Sequence, residues 1–437
     1  MSGVNHNAFL ASCMRPMLRR RLSDALNFRN RYLSTIRSLP KATTTNLRSM
    51  TPPIAILGAG PSGLLLGRLL NRANIDFTIF ERDSSAMSAW GRDGSGTLDL
   101  HEGSGLLALE EAGLLDVFKK KARYDVPLTI ANMDGKILVK LDENQDTDRP
   151  EIDRRDLRSM LLDSVPKDRI QWGVKVEQVQ QELDGTMAVH FAEGGSETGF
   201  RLVVGADGAW SKARNLLTPA IPEYSGRYYL TSAISPANPF YSIAECLVGT
   251  GNYMSMGGGR VVAAMRLGDG SYYTFAGLSL PEAWRHENAA LIEDAARLRE
   301  VLVKEHFADW ATANTDLIAN SDGDFYVWPL YGLSVGSLPQ RSMPGVTLVG
   351  DAAHLTPPSG EGVNVALFDS LQLAQQIVKH GAHSLDRAIE EYERSMWPRA
   401  RETIEDAAVK NEMFFAEDAP AGLLHAFTDG FQNGGEK

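Results

Sequence analysis

Between Ile54 and Glu81 the chain reads as a strand, a glycine turn, a helix and a second strand, all within about 30 residues. Ile54-Ala55-Ile56-Leu57 is a short apolar run suited to a buried parallel strand, and Phe77-Thr78-Ile79-Phe80 is a second one. Leu64 to Ala73 reads as the helix between them. The turn is Gly58-Ala59-Gly60-Pro61-Ser62-Gly63, in which each glycine has its own task. Gly58 permits the tight turn, Gly60 lets backbone approach a pyrophosphate, and Gly63 lets the helix pack closely. The helix N-terminus then offers free N–H groups and a positive dipole end to phosphates. Glu81, followed by Arg82, ends the second strand, where a carboxylate can accept hydrogen bonds from a ribose. The unit predicts a dinucleotide-binding α/β domain.

A second signal lies far along the chain. Val346-Thr347-Leu348-Val349 is another buried parallel-type strand, and Gly350-Asp351 follows it. A carboxylate just beyond such a strand can accept hydrogen bonds from a polyol, which is what the ribityl chain of FAD carries. Pro357-Pro358-Ser359-Gly360-Glu361-Gly362 then leads into a helix that includes Asn364. Its N-terminus would direct positive potential at the pyrimidine edge of a flavin, favouring the anionic reduced form. His354 has no partner at ligand spacing, so it reads as a structural hydrogen-bonding residue rather than a metal ligand or base. No metal site is expected.

Between these signals the pattern changes. From Ile170 to Val204 it reads as strands broken by Asp184-Gly185 and Glu193-Gly194-Gly195, which are hairpin turns. Residues 227–280 read as a mostly antiparallel sheet, and residues from about 286 to 310 as helix. Val363 to His380 and Leu385 to Met413 read as C-terminal helices. The predicted fold is α/β: a Rossmann-type FAD-binding domain interrupted by a mostly antiparallel β-sheet substrate domain, with C-terminal helices. The expected boundaries are a basic leader at 1–50, FAD domain at 51–225, substrate sheet at 226–340, FAD domain and helices at 341–415, and a tail at 416–437.

Asp207-Gly208-Ala209-Trp210-Ser211-Lys212-Ala213-Arg214 supplies a third motif, DG-x-x-S-x-x-R in outline. In this order the three motifs resemble the single-component (class A) flavoprotein monooxygenases of the hydroxybenzoate-hydroxylase fold. Within that family, Gly96-Thr97-Leu98-Asp99-Leu100-His101 and Pro150-Glu151-Ile152-Asp153-Arg154-Arg155-Asp156-Leu157-Arg158 resemble the tetracycline-inactivating monooxygenases. The resemblance implies FAD contacts from Asp99, Arg154, Asp207, Asp351, Pro358, Gly360, Gly362 and Asn364, beside Gly58, Gly60, Gly63, Glu81 and Arg82. It implies a contact from Arg92 to NADPH (or NADH). Where those enzymes place polar tetracycline contacts on the substrate sheet, this chain departs from them with Thr231, Tyr253 and Tyr273, of which Tyr253 and Tyr273 are the substrate-binding candidates. Two further departures stand out. The flavin loop is one residue shorter, and Glu361 stands where the family often has Gln, so the substrate is not carried over. Tyr253, Met254, Met256, Tyr272, Tyr273, Phe275, Tyr326 and Trp328 are rich enough in apolar surface to line a pocket, with alternate members packing the sheet core.

The implied reaction takes NADPH and O2 and oxygenates a small aromatic, polyketide-like or enol substrate through a flavin hydroperoxide, the cofactor carrying the chemistry. No protein nucleophile or base is named. A ubiquinone-pathway hydroxylase of the same fold, an FAD-dependent dehydrogenase or oxidase, and a flavin protein that sequesters ligand without turnover are the alternatives.

Composition limits the partners. The 437 residues carry a net charge of −11. Residues 1–50 hold Lys41 and eight arginines against Asp24 alone, a net +8, which leaves −19 on the remainder. An acidic body is unsuited to phosphate-backbone binding, so no nucleic-acid partner is expected. No run approaches the ~18 apolar residues of a transmembrane helix. Cys13 and Cys246 are too few for a disulfide framework. The leader, with Met17, Leu18, Leu22, Leu26 and Phe28 set against Arg19, Arg20 and Arg21, has the composition of a mitochondrial targeting segment, and Arg31-Tyr32-Leu33-Ser34 resembles a matrix-processing site. Mitochondrion is the expected location, with cytoplasm the alternative and Met50 as the start. A monomer or homodimer is the expected assembly.

Overall fold

The computed structural model describes residues 53–86, 96–141, 149–422 and 424. Five parallel strands run in the order Val346–Leu348, Leu202–Gly205, Ile54–Leu57, Phe77–Glu81 and Ile170–Trp172. The four strands from Val346–Leu348 to Phe77–Glu81 are buried at every position, the condition of a parallel sheet covered on both faces. Ile54 pairs with Phe77 on one side and Leu202 on the other. The chain therefore departs from the first strand in two directions, and the crevice beyond Leu57 and Gly205 is a topological switch point, where ligands bind in such sheets. Helix Pro61–Arg72 starts on Pro61, whose ring is preset for a first helical position, and buries Leu64, Leu65, Leu66, Leu69 and Leu70. Gly67 lets it lie close to the sheet: an added Cβ would stand 3.0 Å from Ile79.

The expected run of strands from Ile170 to Val204 divides in two. Its ends, Ile170–Trp172 and Leu202–Gly205, belong to the parallel sheet, and Val176–Gln181, Met187–Phe191 and Ser196–Phe200 form a separate antiparallel meander. Pattern alone does not choose between them, because short apolar runs suit either sheet.

The second large sheet has seven strands, in the order Asp322–Gly332, Glu223–Ile234, Tyr272–Ser279, Arg260–Arg266, Asn252–Gly257, Leu128–Asn132 and Ile137–Leu141. It is antiparallel except where Asn252–Gly257 runs parallel to Leu128–Asn132. The last two strands come from chain that a boundary at 226 leaves in the first domain. They are partly buried, and only the tertiary pairing assigns them to this sheet. The expected helix at 286–310 is broken into short pieces, Trp284–Glu287, Ala289–Glu293 and Ala295–Val301, followed by a wider turn at Leu302–His306.

Alternation gives this sheet two unlike faces. Tyr228, Leu230, Tyr253, Val262, Tyr272 and Leu278 are buried together with Leu298, Phe307 and Leu317 of the covering helices. On the opposite face Met254, Met265, Tyr273 and Phe275 gather with Phe415, just past the long C-terminal helix Leu385–Phe414. A small two-stranded sheet pairs Thr97–Asp99 with Glu151–Asp153 and brings together the segments Gly96–His101 and Pro150–Arg158. Among the described residues no helix is long and apolar enough to cross a membrane.

Candidate active site

The glycine turn at the end of Ile54–Leu57 shows three separate constraints. Gly58 has φ +100°, and a Cβ there would stand 2.5 Å from the Ala206 carbonyl oxygen. At Gly63 a Cβ would come within 2.1 Å of the Gly58 carbonyl oxygen. Gly60 is different: its backbone is extended, and an added Cβ would meet nothing within 4 Å. It opens onto free space before a helix N-terminus with no side-chain cap and no acid in its first turn. That is the cradle an anionic pyrophosphate requires.

Buried Glu81 lies against the turn. Its Oε2 accepts from the Ala59 N–H at 2.6 Å and its Oε1 from the Asp83 N–H at 2.9 Å. Each oxygen keeps a further lone pair. Arg158 donates to the Ala59 carbonyl at 3.2 Å and pairs with Asp83 at 3.4 Å, so the turn is clamped by a carboxylate and a guanidinium. Arg82 is exposed.

At Gly350 the backbone again turns left-handed, with φ +60°. Asp351 follows, exposed and without a protein hydrogen bond among the described residues, so both carboxylate oxygens are available to a polyol. Beneath it Asp369, fully buried, accepts from the Gly350 N–H at 3.1 Å, from His354 at 2.6 Å and from Arg399 at 2.7 Å. Burial pushes the Asp369 carboxyl up, but the charges of His354 and Arg399 outweigh it and hold it below the usual range. Burial pushes His354 down, and the Asp369 charge more than reverses that. His354 is thus a buttress for the turn. The third motif joins the same construction. Asp207 accepts from the Lys212 N–H at 2.7 Å, and buried Arg214 donates to the Ala352 carbonyl at 3.1 Å. Burial raises the Asp207 pKa.

The opposite wall is made by the small sheet and the flavin loop. Asn364, fully buried near the start of helix Gly362–His380, accepts from the His101 N–H and donates to the Asp99 carbonyl, both at 2.9 Å. Gly105 leaves room for it, since a Cβ there would lie 2.5 Å from the Asn364 Oδ1. Gly360, at φ +85°, and Gly362 both look onto open space, and Pro358 beside them is exposed. His101 Nε2 stands 2.8 Å from Asp99 Oδ2, and its Nδ1 3.3 Å from Glu361 Oε2. Arg154 is exposed, its N–H donating to the Gly96 carbonyl at 3.0 Å. Arg92 lies outside the described residues.

The two tyrosine candidates separate. A Cβ on Gly96 would lie 3.5 Å from the Tyr273 ring, so the Tyr273 face of the large sheet abuts the site. Burial raises the Tyr273 pKa, against the opposing effects of a hydrogen bond with Thr231 and the charge of Arg154. Tyr253 is a correction. It is buried on the other face, where its hydroxyl pairs with Asn314 at 2.6 Å under the helices. Tyr253 pairs in register with Ala264 whereas Tyr273 pairs with Met265, the next residue, so the two rings point oppositely. Tyr272 joins Tyr253, while Met254, Tyr273 and Phe275 hold the face toward the site. His101 and Arg158 were not singled out, although both lie inside the segments that carried the resemblance. His101 follows Asp99 by two on extended backbone, the spacing that puts two side chains on one face.

The cradle at Gly60, the open backbone at Gly360 and Gly362 and the unengaged Asp351 fit a phosphate, a ring edge and a polyol, the parts of FAD. Residues 51–297 and 340–407 match the family described as FAD binding domain, and the chain belongs to that family. It is an FAD-dependent monooxygenase of the hydroxybenzoate-hydroxylase fold. Monooxygenase penA of Penicillium thymicola is 32% identical over 402 residues, 80% of this chain and 92% of that protein. Among solved structures, Klebsiella pneumoniae HpxO complexed with FAD and uric acid superposes with a TM-score of 0.70 at 22% identity, covering 87% of this chain and 92% of that one. The tetracycline destructase Tet(51) superposes with a TM-score of 0.63 at 19% identity, covering 88% and 97%.

Proposed function

We propose that the chain uses NADPH and O2 to oxygenate a small aromatic, polyketide-like or enol substrate held between the flavin site and the Tyr273 face of the large sheet. The observation that carries this reading is the meeting of that face, bearing Tyr229, Met254, Met265 and Phe275, with Gly96, just before the strand Thr97–Asp99 of the cofactor wall. Bound FAD supplies hydride acceptance and oxygen activation. The chain's own residues do the rest. N–H groups at the start of Pro61–Arg72 hold phosphate, and Asp351 accepts ribityl hydroxyls. The apolar sheet face keeps water from the reacting ring. Tyr273, a phenol whose pKa burial raises further, presents a hydroxyl to a phenol or enol oxygen, and the nearby Arg154 favours that oxygen as an anion.

HpxO, whose structure holds uric acid, and the relatives named as monooxygenases support an oxygenated small molecule as substrate. The test is a panel of phenols, heteroaromatics and polyketide enols under labelled dioxygen, read by mass spectrometry. Incorporation of one labelled oxygen atom, coupled to NADPH consumption, is the expected result. NADPH oxidation that yields only hydrogen peroxide across the whole panel would remove the reading.

A further inference from the structure

His101 sits where no single neutral ring can satisfy its neighbours. One nitrogen faces Asp99 at 2.8 Å and the other faces Glu361 at 3.3 Å, with the ring side chain 9% exposed. A neutral imidazole has one N–H donor, so one of the two carboxylates would then face a lone pair. An imidazolium donates to both. The charged groups around it alternate in sign. Arg149 stands 3.8 Å from Asp99 on one side, and Lys410, from helix Leu385–Phe414, stands 3.8 Å from Glu361 on the other. Lys410 also donates to the Ser359 carbonyl within the flavin loop, at 3.3 Å. The row Arg149, Asp99, His101, Glu361, Lys410 thus crosses from the small sheet to the flavin loop and on to the C-terminal helix.

We propose that the Asp99–His101–Glu361 bridge is a proton-dependent latch on the flavin site. As an imidazolium, His101 ties the loop Pro357–Gly362 to the strand Thr97–Asp99. Loss of its proton releases the loop and weakens retention of FAD. His101 is a positioning residue in this role and acts through the loop.

The sign of the pH effect follows from the surroundings. Burial pushes His101 down, but its hydrogen bonds with Asp99 and Glu361, helped by the Asp99 charge against that of Arg149, bring it above the ordinary histidine value. Burial also pushes the Glu361 carboxyl up, yet His101, Lys410 and Arg149 hold it down at about 2. Glu361 therefore stays ionised at every pH where the enzyme is handled. A histidine raised in the folded state contributes fully below its unfolded value of about 6.5, and the contribution is lost as pH rises through the raised native value. The latch opens on the alkaline side.

The experiment uses FAD-loaded protein, with released flavin measured by fluorescence from about pH 5.5 to about pH 9.5, spanning the histidine range. The wild type is expected to lose FAD affinity in one proton step of about tenfold, the size of one charge-assisted hydrogen bond. His101→Gln is expected to show no step and to hold the weak, alkaline affinity throughout. Glu361→Gln removes one carboxylate and moves the step to lower pH, as should the Cε1 resonance of labelled His101. A flat wild-type profile, or a step unchanged in His101→Gln, would overturn the proposal. Should His101→Gln fail to fold, Glu361→Gln decides alone, because it keeps the buried ring and its Asn364 anchor; an unshifted step there overturns the latch. Protein that binds no FAD at any pH would instead sink the flavin reading itself.

Discussion

Gly60 and Gly63 are three residues apart in one motif and do opposite things. Gly63 is required by the protein, since a Cβ would sit 2.1 Å from the Gly58 oxygen. At Gly60 the protein itself sets no such limit, since a Cβ there meets nothing. Gly63→Ala is expected to destabilise the apoprotein by about 1–3 kcal/mol, as overpacking does. Gly60→Val is expected to leave apoprotein melting nearly unchanged while lowering FAD affinity at least about tenfold, a loss of about 1.4 kcal/mol. Thermal denaturation of apoprotein beside FAD titration separates the two; equal melting losses would contradict the assignment. Asn364 makes a different case. Its side chain satisfies one buried N–H and one carbonyl across the cofactor wall. Asn364→Ala strands both groups and is expected to cost about 2–4 kcal/mol together with FAD retention. Full FAD occupancy with unchanged melting in that variant would refute its bridging role.

At the scale of the element, the large sheet shows how much a period of two decides. Tyr253 and Tyr273 share a residue type and a sheet, and one step of register sends one ring under the helices and the other toward the site. Tyr253→Phe leaves the Asn314 Oδ1 without its donor and is expected to cost about 1–2 kcal/mol of stability with substrate KM unchanged. Tyr273→Phe is expected to do the reverse, changing KM or the coupling of NADPH to product with a smaller change in melting. Steady-state kinetics and calorimetry on both variants would settle which face binds, and a KM effect from Tyr253→Phe alone would reverse the assignment. The alternation itself was legible in the sequence. Its direction was not, because Tyr, Met and Val populate both faces and hydrophobicity does not distinguish them.

For the whole molecule, the two sheets are joined through charge as well as packing. Glu151, on the small sheet, accepts from Thr97 at 3.0 Å and from Asn252 of the large sheet. Arg123 pairs with Asp153 at 2.6 Å, and Asp153 in turn accepts from the Gly268 N–H at 2.9 Å. The leader stands apart by composition, at +8 against −19 for the remainder. A Met50-start protein is expected to fold and bind FAD as the full chain does; loss of FAD on that truncation would show residues 1–50 to be part of the fold. A fluorescent fusion of residues 1–50 is expected to enter mitochondria, and a wholly cytosolic signal would exclude targeting. Arg92→Ala is expected to slow flavin reduction by NADPH more than by NADH, at constant FAD content, by about 1–3 kcal/mol as for a charge-assisted pair. Equal stopped-flow rates in wild type and variant would return Arg92 to a solvated charge.

Local chemistry was enough to point to an FAD-binding domain. A tight turn before a helix admits few residues, so Gly58, Gly60 and Gly63 announce themselves, and a carboxylate after a buried strand, Asp351, does likewise. Such constraints act over a few bonds and are written in adjacent residues. The substrate half and the wall between the halves depend on distant segments meeting. Leu128–Asn132 joins the large sheet only by pairing with Asn252–Gly257. His101 has Asp99 two residues away but acquires its second carboxylate, Glu361, from a distant segment. Neither the distant partner of a strand nor the full charge environment of a buried ring is encoded locally, because both are set by which surfaces the closed core brings within a few ångströms.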